Sequence, residues 1–165
     1  MNARKICYMS LLTGIALIIF IVELRIPDLS PFPGMKLGLA NIITVYGLYH
    51  LRAGETAMIL LVRIILGSVF GGNLSAMIYS LSGGLLCLVG MFAVQKILGE
   101  KYIWLCSIIG GILHNIGQMA AAVVVMRTTS VIAYLPFLLI SGCIAGLFTG
   151  LCAQFVTVRL KKHVV

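Results

Sequence analysis

The chain has 165 residues, of which 61% are hydrophobic and 10% charged, against about 25% charged in an ordinary soluble domain. So few charges cannot cover a soluble core, which excludes a soluble enzyme, a disordered chain and a collagen-like chain. What remains is an integral helical membrane protein, and its net charge of +8 points first to basic loops facing anionic lipid rather than to nucleic acid.

Charges cut the sequence into apolar windows at 6–22, 37–49, 64–95, 102–126 and 128–158. In lipid, a backbone must satisfy its own polar groups, so such windows become helices. The reading is six transmembrane helices at 6–24, 37–51, 55–70, 74–97, 103–126 and 131–158, forming a single domain over 1–165. The first window starts with Arg4 and Lys5 like a signal peptide, but no small-x-small cleavage site follows it. It is read as an uncleaved span. The next segment, Pro27-Asp28-Leu29-Ser30-Pro31-Phe32-Pro33-Gly34, cannot be a regular helix; it reads as an outer loop or as a lid. Gly71-Gly72-Asn73 is a turn signal between helices three and four. Pro136 either kinks the last helix or marks its start.

Six crossings put both termini on one side. With that side cytoplasmic, the inner basic residues are Arg4, Lys5, Arg52, Lys96, Lys101, Arg159, Lys161 and Lys162. The outer ones are Arg25, Lys36 and Arg127, and Arg63 lies within the membrane. This bias predicts N-in, C-in. Tyr46, Tyr49, Tyr102 and Trp104 fall near the expected interfaces. Cys7, Cys87, Cys106, Cys143 and Cys152 form no C-x-x-C pair and read as small packing residues, with no support for a metal or disulfide.

Polar side chains inside a span are costly and so carry the information. Glu23, Lys36, Asn41, Arg63, Asn73, His114, Asn115 and Gln118 all map to the outer half of the bundle or its midplane. His114 and Gln118 are i, i+4 neighbours, and Asn115 and Gln118 are i, i+3. One reading is a polar ligand-binding cavity open to the outside, in which Lys36 and Arg63 suit a phosphate or carboxylate. The other is a structural network, with Glu23 paired to Arg63 or Lys36 and the helix-five group bridging helices. Small residues are also patterned. Gly142, Gly146 and Gly150 make a stripe on helix six, and Ser10 with Gly14 makes a pair on helix one. Both suit close helix packing or the docking of a partner helix.

Several blocks carry a family resemblance. Glu23 followed by Pro27, then Pro33-Gly34-Met35-Lys36-Leu37-Gly38-Leu39-Ala40-Asn41, resembles the signature of the Gx transporter family. Arg63 with Gly67-Ser68, Ser82-Gly83-Gly84, and His114-Asn115-x-x-Gln118 match further blocks in order. The family is often labelled heptaprenyl diphosphate synthase component I. It is similar to the substrate-binding S components of energy-coupling factor (ECF) transporters, six-helix membrane proteins with both termini inside. The resemblance implies a binding or transport component that works with an ECF energising module, an electron-transfer protein or a second copy of itself. Relatives near flavin- and quinone-linked electron transfer, together with the label, make a flavin, a quinone or a prenyl compound the candidate ligands. S components dock through a small-residue motif on helix one, commonly alanine-rich; Ser10 and Gly14 stand there in this chain.

Enzymatic activity is not expected. The chain has no G-x-x-x-x-G-K-[ST] loop for ATP. Prenyl diphosphate synthesis needs aspartate clusters to hold Mg²⁺ against a diphosphate, and Asp28 is the single aspartate.

Overall fold

The computed structural model describes residues 3–23, 25, 36–72 and 74–164, without the side chains of 160–164. The Pro27–Gly34 segment and Asn73 therefore lie outside the described residues. Six α-helices follow one another: α1 Ala3–Glu23, α2 Asn41–His50, α3 Ala53–Gly71, α4 Leu74–Leu98, α5 Ile103–Met126 and α6 Leu135–Val164. There is no strand among the described residues. All helices but α2 are long and apolar enough to cross a membrane, and large side chains such as Val69, Phe70, Val124 and Ile144 are exposed on the outside of the bundle. A surface this apolar is what lipid requires. The architecture is that of a multi-pass membrane bundle.

The helix ends differ from expectation at two places. The last helix begins at Leu135 after a short 3-10 turn over Ser130–Tyr134. Pro136 sits in its first turn, where a missing N–H costs nothing. The second helix is shorter than expected. Its 10 residues rise only about 15 Å, half of a hydrocarbon core of about 30 Å. Gly38 takes φ +81°, and the amides of Asn41, Ile42 and Ile43 bond three residues back to Gly38, Leu39 and Ala40. This tight lead-in replaces the first helical turn that hydropathy alone suggested.

Three contacts fix the course of α2. At one end, Lys5 Nζ lies 2.6 Å from Glu55 Oε1, joining the starts of α1 and α3. Near that same end, the hydroxyls of Tyr8 and Tyr46 are 2.8 Å apart. At the other end, the Gly38 N–H donates to Glu23 Oε1 at 2.6 Å. So α1 and α3 run in the same direction, and the segment 38–52 returns between their ends. Leu51 and Arg52 are extended and add length that the short helix lacks. Tyr46, read from sequence as an interface ring, is instead buried and stacked on His50.

The second half packs through its glycines. A Cβ added at Gly146 would lie 2.7 Å from Ile108 Cα and the Ser107 carbonyl, and one at Gly150 would lie 2.7 Å from Trp104 Cα. Only glycine lets α5 and α6 approach this closely, as small residues do in membrane bundles. The α6 stripe is thus spent within the bundle. The α1 pair is not: a Cβ at Gly14 meets nothing within 4 Å. Ser10, Thr13 and Gly14 open onto a groove of about 370 Å³ between α1 and α3.

Candidate functional site

The polar side chains expected within the membrane are buried: Glu23, Asn41, Arg63, His114, Asn115 and Gln118 are each at most 6% exposed. The helices bring most of them together. Arg63, mid-way along α3, donates from Nη2 to Asn41 Oδ1 across 3.5 Å. Asn41 is the first residue of α2. Gly38, three residues earlier, is the contact point for α5: a Cβ there would sit 2.8 Å from Asn41 Nδ2 and 3.0 Å from His114 Cδ2. His114 Nε2 lies 3.0 Å from Gln118 Nε2. An amide nitrogen can only donate, so His114 accepts through Nε2 and carries its proton on Nδ1, which faces the Gly83 backbone.

Glu23 completes the group from the end of α1. Its carboxylate takes the Gly38 N–H, and the amides of Leu39 and Ala40 turn toward it as well. These are the amides left over at the start of α2, where orphan N–H groups and the helix dipole favour an anion. Arg63 is near enough to act on the same carboxylate electrostatically.

Asn115 departs from the group. Its Nδ2 donates to the Leu138 carbonyl and to Ser141 Oγ of α6. Sequence spacing puts Asn115 and Gln118 on one side of α5, yet α6 takes the first while α4 and the α2 lead-in face His114 and Gln118. Lys36 is half-buried, two residues ahead of Gly38. The site residue that sequence reasoning passed over is Gly38. Its signal was a glycine between two leucines just before a helix, the pattern of a turn that must come close to a neighbour.

Five atoms of the cluster and its neighbour make no hydrogen bond: Glu23 Oε2, Arg63 Nε, His114 Nδ1, Asn115 Oδ1 and Gln118 Oε1. Buried polar groups are otherwise nearly always paired. An arginine within a span costs about 2.5–3.5 kcal/mol even on insertion scales, and one bond of 3.5 Å recovers little of that. Beside Gly38 and Asn41 is a void of about 10 Å³, walled by Leu37, Cys87, Gly111, Ala145 and Thr149 among others. That is room for about one water. On the far side of Leu37 and Ala145, an apolar groove of about 400 Å³ runs along α6 past Phe137, Ile144 and Phe148.

The heptaprenyl diphosphate synthase component I family matches residues 12–156. The chain belongs to that family. The matched span contains every residue of the cluster. Neither a curated protein nor a solved structure matches the chain. Among the described residues, no group of three His, Cys, Asp or Glu side chains could hold a metal.

Proposed function

We propose that this family member is a non-catalytic, membrane-embedded binding component that captures a small polar or amphipathic ligand at the cluster around Arg63, in the manner of an ECF S component. The carrying observation is Arg63 itself, 3% exposed, with one long hydrogen bond and a bare Nε. Asn41, His114 and Gln118 supply converging donors and acceptors, Glu23 closes the group, and Lys36 stands on its approach. A structural network alone would gain by pairing these atoms; a binding site keeps them for its ligand.

The test is mass spectrometry of small molecules retained by gently purified protein, wild type against Gln118→Leu. Gln118 is fully buried, with Oε1 unpaired and Nε2 on His114, so the leucine removes one internal hydrogen bond and should lower stability by no more than about 1–3 kcal/mol. Retained ligand should fall about tenfold, the worth of one hydrogen bond to a polar ligand. Equal retention in both proteins, or a preparation that holds only bulk lipid, would defeat the proposal.

The topology proposed with it is six crossings with both termini in the cytoplasm. Five helices qualify by length. The sixth crossing is supplied by the 38–52 segment, which meets Glu23 at one end and Tyr8 toward the other. Reporter fusions to the first and last residues should both report the cytoplasm. Opposite signals would mean that α2 does not cross.

A further component is implied by the words "component I" in the family description. The open groove between α1 and α3, with its small residues Ser10 and Gly14, supports helix docking there by a membrane partner or a second copy. The family description also favours a second reading, a non-catalytic subunit that handles a prenyl diphosphate or a related quinone. Its support is the apolar groove of α6, which shares the walls Leu37 and Ala145 with the polar void. A chain in the groove would put its head at Asn41. A prenyl compound among the retained molecules would select this reading.

A further inference from the structure

We infer that the start of α2 is an anion site plugged by the chain's own Glu23, and that an anionic ligand binds by taking the place of this carboxylate. The inference rests on the binding reading above and gives it a ligand class and a mode of entry.

Three observations meet at one point. The amides of Gly38, Leu39 and Ala40 turn to a single carboxylate at the N-terminus of a 10-residue helix. Such a nest of amides accepts phosphate as readily as carboxylate. Arg63, 3% exposed, reaches the first residue of that helix and keeps its Nε without a partner. The adjoining void of about 10 Å³ holds no more than a water, so a larger group must displace something already there.

Glu23 is the group that can leave. It is the last residue of α1, so its side chain can swing aside without unwinding a helical turn. Arg63, His114 and Gln118 lie inside helices, and Asn41, at the start of α2, is held by Arg63. When Glu23 leaves, Arg63 and the three amides lose their negative partner. An incoming phosphate or carboxylate restores the balance and offers oxygens to both the amides and the guanidinium. A neutral or cationic ligand would leave Arg63 buried without a counter-charge. The ligand is therefore a compact anionic group, either free or the head of a lipid.

Melting midpoints in a phosphate-free maltoside detergent, at constant ionic strength, test this. Inorganic phosphate and hexyl phosphate are titrated against wild type, Glu23→Gln and Glu23→Asp. Glu23→Gln should melt below wild type in chloride and recover with phosphate, with an apparent affinity at least tenfold above wild type. Glu23→Asp, charged but one methylene shorter, should fall between the two. It decides the matter alone if the glutamine variant does not fold. A larger response to the hexyl ester assigns a lipid headgroup, and a larger response to inorganic phosphate assigns a soluble anion. If both variants respond to both anions as wild type does, Glu23 is not a plug and the inference fails. Should wild type still lose its retained ligand on Gln118→Leu in that case, the binding reading stands without it.

Discussion

Arg63→Ala is expected to lower the stability of the bundle by about 3–5 kcal/mol and to abolish ligand retention. The first figure is the ordinary cost of removing one member of a buried charge pair. Glu23 and Arg63 are both nearly inaccessible, 2% and 3% exposed, and each acts on the other electrostatically. Alanine leaves the carboxylate with only the α2 amides for company and opens a hole beside Asn41. Replacing both charges by neutral groups of similar volume often restores stability, because two desolvation costs vanish together. Arg63→Met combined with Glu23→Gln should therefore melt near wild type, although Arg63→Met alone does not. A double-mutant cycle on melting or denaturant midpoints measures the coupling, which should be close in size to the summed costs of the two single changes. The double variant should remain unable to retain ligand. Recovery of stability without recovery of binding separates a site from a scaffold. A double variant that still held ligand would move the site away from Arg63.

The sequence made the helices legible because charge is so scarce here that almost every charged residue marks an edge, Arg63 within α3 being the exception. Five of the six helices fall within a few residues of those read from the sequence, with α3 and α4 divided by Gly71-Gly72-Asn73 rather than by charge. The second does not, because hydropathy cannot see that Gly38 turns the backbone into positive φ and delays the helix to Asn41. The cluster was legible in part for the same reason: a buried arginine or histidine announces itself in an apolar run. Its internal arrangement was not. Glu23 meets the α2 amides across 15 residues of chain, a contact set by how α1 returns through the 38–52 segment. Asn115 and His114 are adjacent in sequence, yet α6 captures one and α4 the other; spacing on α5 says nothing of which helix lies on which side. The glycine stripe and the Ser10–Gly14 pair look alike as strings. Only the packing of α5 on α6 distinguishes the stripe that is consumed from the pair that stays open.

Gly38→Ala should damage the site more than its single methyl suggests. The residue sits at φ +81°, where an L side chain costs roughly 1–2 kcal/mol. Its Cβ would also arrive 2.8 Å from Asn41 Nδ2, 3.0 Å from His114 Cδ2 and 3.1 Å from His114 Nε2. Relief requires Asn41 or His114 to turn, and turning either one breaks Asn41 from Arg63 or His114 from Gln118. If the backbone relaxes instead, the Gly38 amide leaves Glu23, and a hydrogen bond to a charged group worth about 1.5–3 kcal/mol is weakened. Each route unsettles the lead-in to α2, so ligand retention should fall at least tenfold while helical content stays near wild type. Hydrogen exchange should show the amides of 38–43 opening faster than those of α5. Gly14→Ala is the control. Gly14 is helical, and a Cβ there meets nothing within 4 Å, so that change should stabilise α1 by up to about 1 kcal/mol and leave ligand retention intact. If Gly38→Ala behaves like Gly14→Ala, the lead-in can adjust without cost and Gly38 does not hold the site in shape.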